Sequence, residues 1–205
     1  IGVPGLFDAA SGTTTFLTNM PGGWRGVPVV SRLAEALDAP TALINDARAF
    51  ALAESELGAA RGCETAVFVA IGTGVGGALI LDGRLYLGSS GDAGDIGNYL
   101  LHAVDVSQEI PRKEVVDSVV SRTAISAEAA ALAVKRQAPA LRKLAGTDVT
   151  DIKSGDLAEA IRRGDKPVER LVRSRARVMG AVLSNLVDFL NPDMVVLGGG
   201  LVESL

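Results

Sequence analysis

Two spacings of apolar residues alternate along the chain, one of strand type and one of helical type, and together they predict a mixed α/β order. Unbroken apolar runs at Ala66–Ile71 and Ala78–Leu81 flank Gly72-Thr73-Gly74-Val75-Gly76-Gly77, the pattern of two strands joined by a glycine hairpin. Shorter runs predict a strand end at residues 1–3, turned by Pro4-Gly5 into Leu6-Phe7-Asp8, and strands over Thr13–Leu17 and Thr41–Ile44. Further strands are expected at Arg84–Leu87 after the Asp82-Gly83 turn, at Tyr99–Val104, and at Met194–Leu197 before a glycine turn at Gly198-Gly199-Gly200. Helical spacing covers Pro28–Leu37, Ala47–Glu54, Glu114–Val120, Thr123–Gln137 and, past the break at Pro139, a turn at Leu141–Leu144. Ser154 is expected to cap a helix over Gly155–Arg163 with Asp156 in its first turn. The longest amphipathic pattern, Pro167–Leu190, should be the most buried helix.

Composition narrows the class. The sequence has 205 residues, 48% hydrophobic, 24 glycines and a net charge of −4, which suits a soluble α/β protein with one large or two small cores. A pI near 5.1 and the lack of a basic stripe give no electrostatic reason to expect nucleic acid on these residues. A single cysteine, Cys63, excludes an intramolecular disulfide and leaves no thiolate cluster for zinc, which points to a reducing, cytoplasmic setting with Cys63 as a small buried apolar residue. No run approaches the ~18 apolar residues of a membrane span. Ile1-Gly2-Val3-Pro4-Gly5 reads as a chain entered in mid-strand and Leu205 follows closely on a glycine turn, so residues are expected beyond both ends.

Candidate chemistry gathers between Leu43 and Gly77. Leu43-Ile44-Asn45-Asp46 is an apolar run ending in two short polar side chains ahead of a strong helix former, so Asp46 sits at a strand-to-helix junction. Strand, glycine turn, strand does not fit the dinucleotide fingerprint or the Walker loop, both of which need a helix after the glycines. A glycine hairpin can still cradle phosphate through successive backbone N–H groups, with the Thr73 hydroxyl as a further donor; a plain tight hairpin needing positive φ stays open beside that reading. The segment Gly88–Asn98 is small and polar, with Asp95 and Asn98 suited to binding hydroxyls or to sitting in a solvated loop. Trp24, in the breaker-rich stretch Asn19–Gly26, reads as a packing anchor or part of a cleft wall. His102, the only histidine, has no serine and carboxylate context and reads as structural.

Taken together, Ile1–Gly5, Asn19-Met20-Pro21-Gly22-Gly23-Trp24, Ile44-Asn45-Asp46-Ala47, Ile71–Gly77, Gly94-Asp95-Ile96-Gly97-Asn98, Ser121-Arg122-Thr123-Ala124-Ile125 and Asn191-Pro192-Asp193 through Gly200 resemble successive segments of the ROK family of repressors, open reading frames and sugar kinases. The resemblance implies the two-lobed actin-like ATPase (ribonuclease H-like) sugar kinase fold, with residues 1–44 ending an N-terminal α/β lobe and 45–205 forming a C-terminal lobe whose last residues can return towards the first. It implies ATP and Mg²⁺ as cofactors, a small sugar as substrate, a homodimer, and no membrane partner. Asp46 is then the general base that takes the proton of the attacking hydroxyl, and Asn45 holds a neighbouring hydroxyl. Gly72, Thr73, Gly74 and Gly76 face the phosphates, and Gly198, Gly199 and Gly200 lie near the adenosine.

Departures from the family pattern carry information too. Zinc-containing members have Gly-Glu-x-Gly-His where this chain has Gly94-Asp95-Ile96-Gly97-Asn98, so Asn98 stands in place of the histidine. Their three cysteines fall here on Gln108, Ile110 and Val115, which makes zinc an expected absence, with Ile110, Val115, Val116, Val119 and Val120 supplying apolar packing instead. The two sugar-binding glutamates fall on Asp95 and Asp117, each one methylene shorter, so a hexose, an amino sugar or a cyclitol of other shape than glucose becomes a candidate. Within the same family a sugar-responsive repressor or a catalytically silent sugar binder is the alternative. An Asp-x-Gly-Gly-Thr motif before Ile1 would mark the kinase and a helix-turn-helix the repressor.

Overall fold

The structure, a computed structural model, describes residues 1–17, 20, 22, 24–101 and 114–205. His102, Gln108 and Ile110 lie outside the described residues, as does most of the strand expected over Tyr99–Val104; within them, only Leu100 forms an isolated bridge, to Val115. The chain divides into two compact units, Ile1–Arg61 and Gly62–Leu205.

In the first unit, β1 (Gly2–Val3) pairs in parallel with β4 (Ile44–Asn45), Gly2 opposite Ile44 and Val3 opposite Asn45. Residues 41–43 are not strand, although the Ala42 carbonyl accepts from the Ile1 nitrogen at 2.8 Å. β2 (Leu6–Asp8) and β3 (Thr13–Phe16) form an antiparallel hairpin. Its turn is closed by Asp8, whose carboxylate accepts from the N–H groups of Ala10 at 2.8 Å and Ser11 at 2.9 Å. Those two N–H groups, Ser11 first, hold the Asp8 carboxyl below the usual carboxylate range. α1 (Val29–Leu37) buries only Val29 and leaves Leu37 exposed. Trp24, 42% exposed and at positive φ, is not a packing anchor. α2 (Asp46–Glu56) follows β4 without a break.

The second unit is built on a four-stranded sheet in the order β7-β6-β5-β8, with β5 (Ala66–Ile71), β6 (Val75–Leu81), β7 (Arg84–Leu85) and β8 (Met194–Gly198). β5 has the ends its apolar run predicts, and it is covered on both faces, which is why it shows no polar alternation. The hairpin is tighter than expected: Gly76 and Gly77 belong to β6, opposite Ala70 and Val69. β8 runs parallel to β5, Ala66 opposite Met194 and Ala70 opposite Gly198. Asp193 sets that register, since its Oδ2 accepts from the N–H groups of Glu64 and Thr65, both at 3.0 Å, while its own N–H donates to the Thr65 carbonyl at 2.8 Å.

Helices α3 (Val116–Val120), α4 (Arg122–Val134), α5 (Pro139–Ala145), α6 (Ser154–Arg162), α7 (Lys166–Leu190) and α8 (Gly200–Ser204) complete the unit. The core joins Val67, Val69 and Ile71 of β5 to Val116, Val120, Ile125, Leu157, Val168, Met179 and Val182. Val119 packs against it, so Val116, Val119 and Val120 supply the expected apolar packing, while Val115 does not join this core. α7 is not the most buried helix: it buries Val168, Met179 and Val182, while Phe189 is 86% exposed. α4 buries five residues, three of them alanines whose small side chains let it lie close to its neighbours. Pro139 begins α5 rather than only breaking the chain, as suits a residue with no N–H to lose in a first turn. Lys153, not Ser154, is the N-cap residue of α6, and its N–H donates to Asp156 at 2.9 Å. Cys63 is half-buried rather than buried.

Asp165 is the charged group this core depends on. It is 4% exposed, and its two carboxylate oxygens accept from the N–H groups of Ala140 at 3.2 Å and Leu141 at 2.7 Å, the open donors at the start of α5. Asp165→Ala leaves both N–H groups without their acceptor and should cost about 2–3 kcal/mol, read as a lower denaturation midpoint at unchanged m-value.

Candidate functional site

Asn45 and Asp46 lie in the first unit, where the chain passes from β4 into α2. Asn45 is the N-cap residue: its Oδ1 accepts from the N–H groups of Ala47 at 3.0 Å and Arg48 at 3.3 Å, and its Nδ2 donates to the Gly5 carbonyl at 3.3 Å. The amide therefore ties the helix start to the turn after β1, leaving one Nδ2 proton for another acceptor. Asp46 is the first helical residue and is exposed. Its Oδ1 accepts from the Ala47 N–H at 2.9 Å, and its other oxygen has no donor among the described residues. An acid at that place is favoured by the helix dipole and has one oxygen open to accept a proton.

The remaining candidates lie in the second unit. At the tip of the β5–β6 hairpin every carbonyl of Gly72, Thr73 and Gly74 is occupied. The Gly72 carbonyl accepts from the Arg122 N–H at 2.9 Å, that of Thr73 from the Thr123 hydroxyl at 2.7 Å, and that of Gly74 from the Gly72 N–H at 2.8 Å. The N–H groups of Thr73 and Gly74 have no acceptor among the described residues. A turn with its acceptors filled and successive donors open is the arrangement that binds an anion. Asp117, from α3, holds the next residue, accepting from the Val75 N–H at 2.7 Å.

Gly198, Gly199 and Gly200 stand beside this hairpin, because β8 and β5 end together. A Cβ built on Gly199 would lie 2.6 Å from the Ile71 carbonyl oxygen and 2.8 Å from its nitrogen, so the second glycine turn packs directly on the residue before the first. The Gly94–Asn98 segment lies on β6 through the same device: a Cβ on Gly97 would fall 2.2 Å from the Val75 oxygen, and one on Gly77 2.4 Å from the Gly94 oxygen. Ile96 and Gly97 are buried, so this is a seated segment rather than a wholly solvated loop. It presents Asp95 and Asn98 at the surface, joined by a 2.7 Å hydrogen bond from Asn98 Nδ2 to Asp95 Oδ2.

Thus the two glycine turns and Asp117 come together, Asp95 and Asn98 form a second pair, and Asn45 with Asp46 forms a third group in the other unit. Arg122 and Thr123, which fix the hairpin tip, stand in the sequence only as part of the family-like segment Ser121–Ile125, with no site role assigned to them. Their signal was available: a cation and a hydroxyl directly after the helix-capping Ser121, which accepts from the Ala124 N–H at 3.2 Å.

Comparison with known proteins finds relatives along the whole chain. A family model described as "ROK family" matches residues 1–204. The chain is 30% identical over 203 residues to a glucokinase of Thermotoga maritima, covering 98% of this chain and 63% of that protein. It is 27% identical to a xylose repressor of Caldicellulosiruptor bescii, covering 97% of this chain and 49% of that one. A crystal structure of a ROK family glucokinase from Streptomyces griseus in complex with glucose and AMPPNP superposes with a TM-score of 0.80 at 28% identity, covering 99% of this chain and 65% of that one. The chain spans about half to two thirds of the length of these proteins.

Proposed function

The chain belongs to the ROK family, and from that premise we propose that the whole protein transfers the terminal phosphoryl group of ATP to a hydroxyl of a sugar, with Asp46 as general base. Its mixed α/β fold is the actin-like fold of ROK sugar kinases. The observation that carries the proposal is the hairpin tip with filled carbonyls, open N–H groups at Thr73 and Gly74, and the Gly198–Gly200 turn packed beside it. The first glycine turn receives the phosphates and the second lies along the adenosine. Mg²⁺, which would supply charge neutralisation at the phosphates, would be held largely by the nucleotide, since that ion keeps several waters and asks for few protein ligands.

On this reading Asp46 draws the proton from the attacking hydroxyl, and charge neutralisation and alignment at the phosphate do the rest. Asn45 retains one amide proton for a neighbouring hydroxyl. Asp95 and Asn98 present a joined acceptor and donor to the sugar, and Asp117 reaches the same region from beneath the hairpin. The shortened carboxylates at Asp95 and Asp117 leave the substrate of this glucokinase-like reading open to a hexose, an amino sugar or a cyclitol. Residues 1–44 are assigned to an N-terminal lobe and 45–205 to a C-terminal one, in a cytoplasmic homodimer without bound zinc. The similarity to a xylose repressor supports a second reading, a sugar-responsive regulator whose DNA-binding part lies outside these residues.

ADP release by the full-length protein, measured against hexoses, N-acetylated amino sugars and inositols, tests the two. Turnover on one class supports the kinase. Saturable sugar binding with no turnover on any of them supports the regulator and removes the catalytic assignment.

A further inference from the structure

The geometry points to Arg122 as a positioning residue for the phosphoryl donor, acting through the hydroxyl of Thr73; the inference rests on the kinase reading above. Arg122 is the first residue of α4, and its guanidinium bridges two groups: Nη2 donates to Thr73 Oγ1 at 3.0 Å and Nη1 to the Ile152 carbonyl at 3.3 Å. Its backbone N–H also fills the Gly72 carbonyl at 2.9 Å. One residue thus holds the hairpin tip by main chain and side chain together.

Neither side-chain bond is needed to satisfy a buried group. The Ile152 carbonyl already accepts from the Ser126 hydroxyl at 3.0 Å, and Thr73 is exposed, where water would serve its hydroxyl as well. What the pairing does change is the role of the hydroxyl. A hydroxyl has one proton and two lone pairs. With a guanidinium donating to its oxygen, Thr73 is left with its proton to give, and that donation is strengthened by the positive group behind it. The tip then offers three donors in succession, the Thr73 N–H, the Thr73 hydroxyl and the Gly74 N–H, backed by a cation, while the neighbouring Asp117 carboxylate is taken up by the Val75 N–H at 2.7 Å. That set suits the phosphate chain of a nucleotide triphosphate rather than a neutral ligand.

The test uses the full-length protein with four variants: Arg122→Gln, Arg122→Lys, Thr73→Val, and Arg122→Gln with Thr73→Val. Arg122→Gln should raise KM for ATP, and the Kd for AMPPNP measured by calorimetry, about tenfold, with KM for the sugar and the melting temperature nearly unchanged. Arg122→Lys, which can still donate to Thr73, should recover part of that loss. Because Arg122 works through the hydroxyl, the double variant should bind AMPPNP no more weakly than the weaker single variant. Two results overturn the inference alone: AMPPNP binding to Arg122→Gln as tight as to the wild type, or single losses that multiply in the double variant, which would make Arg122 an independent contact. A wild-type protein that binds sugar but neither ATP nor AMPPNP overturns the kinase reading itself, and this inference with it.

Discussion

Asp46→Asn should lower kcat for sugar phosphorylation by about 10²–10⁴ while leaving the fold and sugar binding in place. The substitution keeps the shape of the side chain and the oxygen that accepts from the Ala47 N–H at 2.9 Å, so α2 keeps its start. What goes is the negative charge at the first helical residue, a dipole term of about 0.3–1 kcal/mol at an exposed position, too small to unfold the unit. A structural acid and a catalytic one therefore give opposite results. If Asp46 serves only the helix, turnover stays and the melting temperature falls slightly. If it takes the hydroxyl proton, turnover falls by orders of magnitude with the same slight fall in melting temperature, and KM for the sugar moves far less than kcat. Asp46→Glu keeps the charge but moves the carboxylate by one methylene, and should recover only part of the rate because proton transfer needs hydrogen-bond reach. Equal turnover by wild type and Asp46→Asn would remove this residue from the chemistry.

How far the sequence discloses the site depends on whether a residue's task is local. The place of Asp46 at a strand-to-helix junction follows from an apolar run meeting a helix former, and the structure has it there. β5 was legible to its last residue because a strand covered on both faces is uniformly apolar. The glycines that follow misled: Gly76 and Gly77 read as turn because glycine usually breaks strands, but here they lie in β6, where the missing Cβ of Gly77 lets the Gly94 carbonyl and the Ile96 side chain sit against the strand. For the same reason Gly88–Asn98 read as a loop, its seat being provided by residues far away in sequence. The α7 pattern gave the helix and its inward face but not how much of the rest a partner covers, which depends on tertiary packing. Arg122 was hidden for the opposite reason: one arginine at a helix start is ordinary, and only the return of Thr73 across 49 positions makes it part of the hairpin tip.

Gly199→Ala should be strongly damaging to the second unit, costing about 3 kcal/mol or more in stability and disabling nucleotide binding in the molecules that remain folded. Two independent costs meet there. With φ at 93° and ψ at 158°, Gly199 occupies a region of backbone space essentially closed to residues with a Cβ. The added carbon would also lie 2.6 Å from the oxygen and 2.8 Å from the nitrogen of Ile71, and both are main-chain atoms that cannot rotate aside. Relief requires β8 to move away from β5 at the point where Ala70 faces Gly198, and that displacement separates the two glycine turns. Gly200→Ala is the matched control: its Cβ meets nothing within 4 Å and its residue is helical, so stability should hold or rise slightly. Denaturation midpoints and AMPPNP affinity of the two variants decide the matter. Gly199→Ala with wild-type stability would mean that β8 and β5 tolerate separation, and the side-by-side glycine turns would lose their standing as a built nucleotide seat.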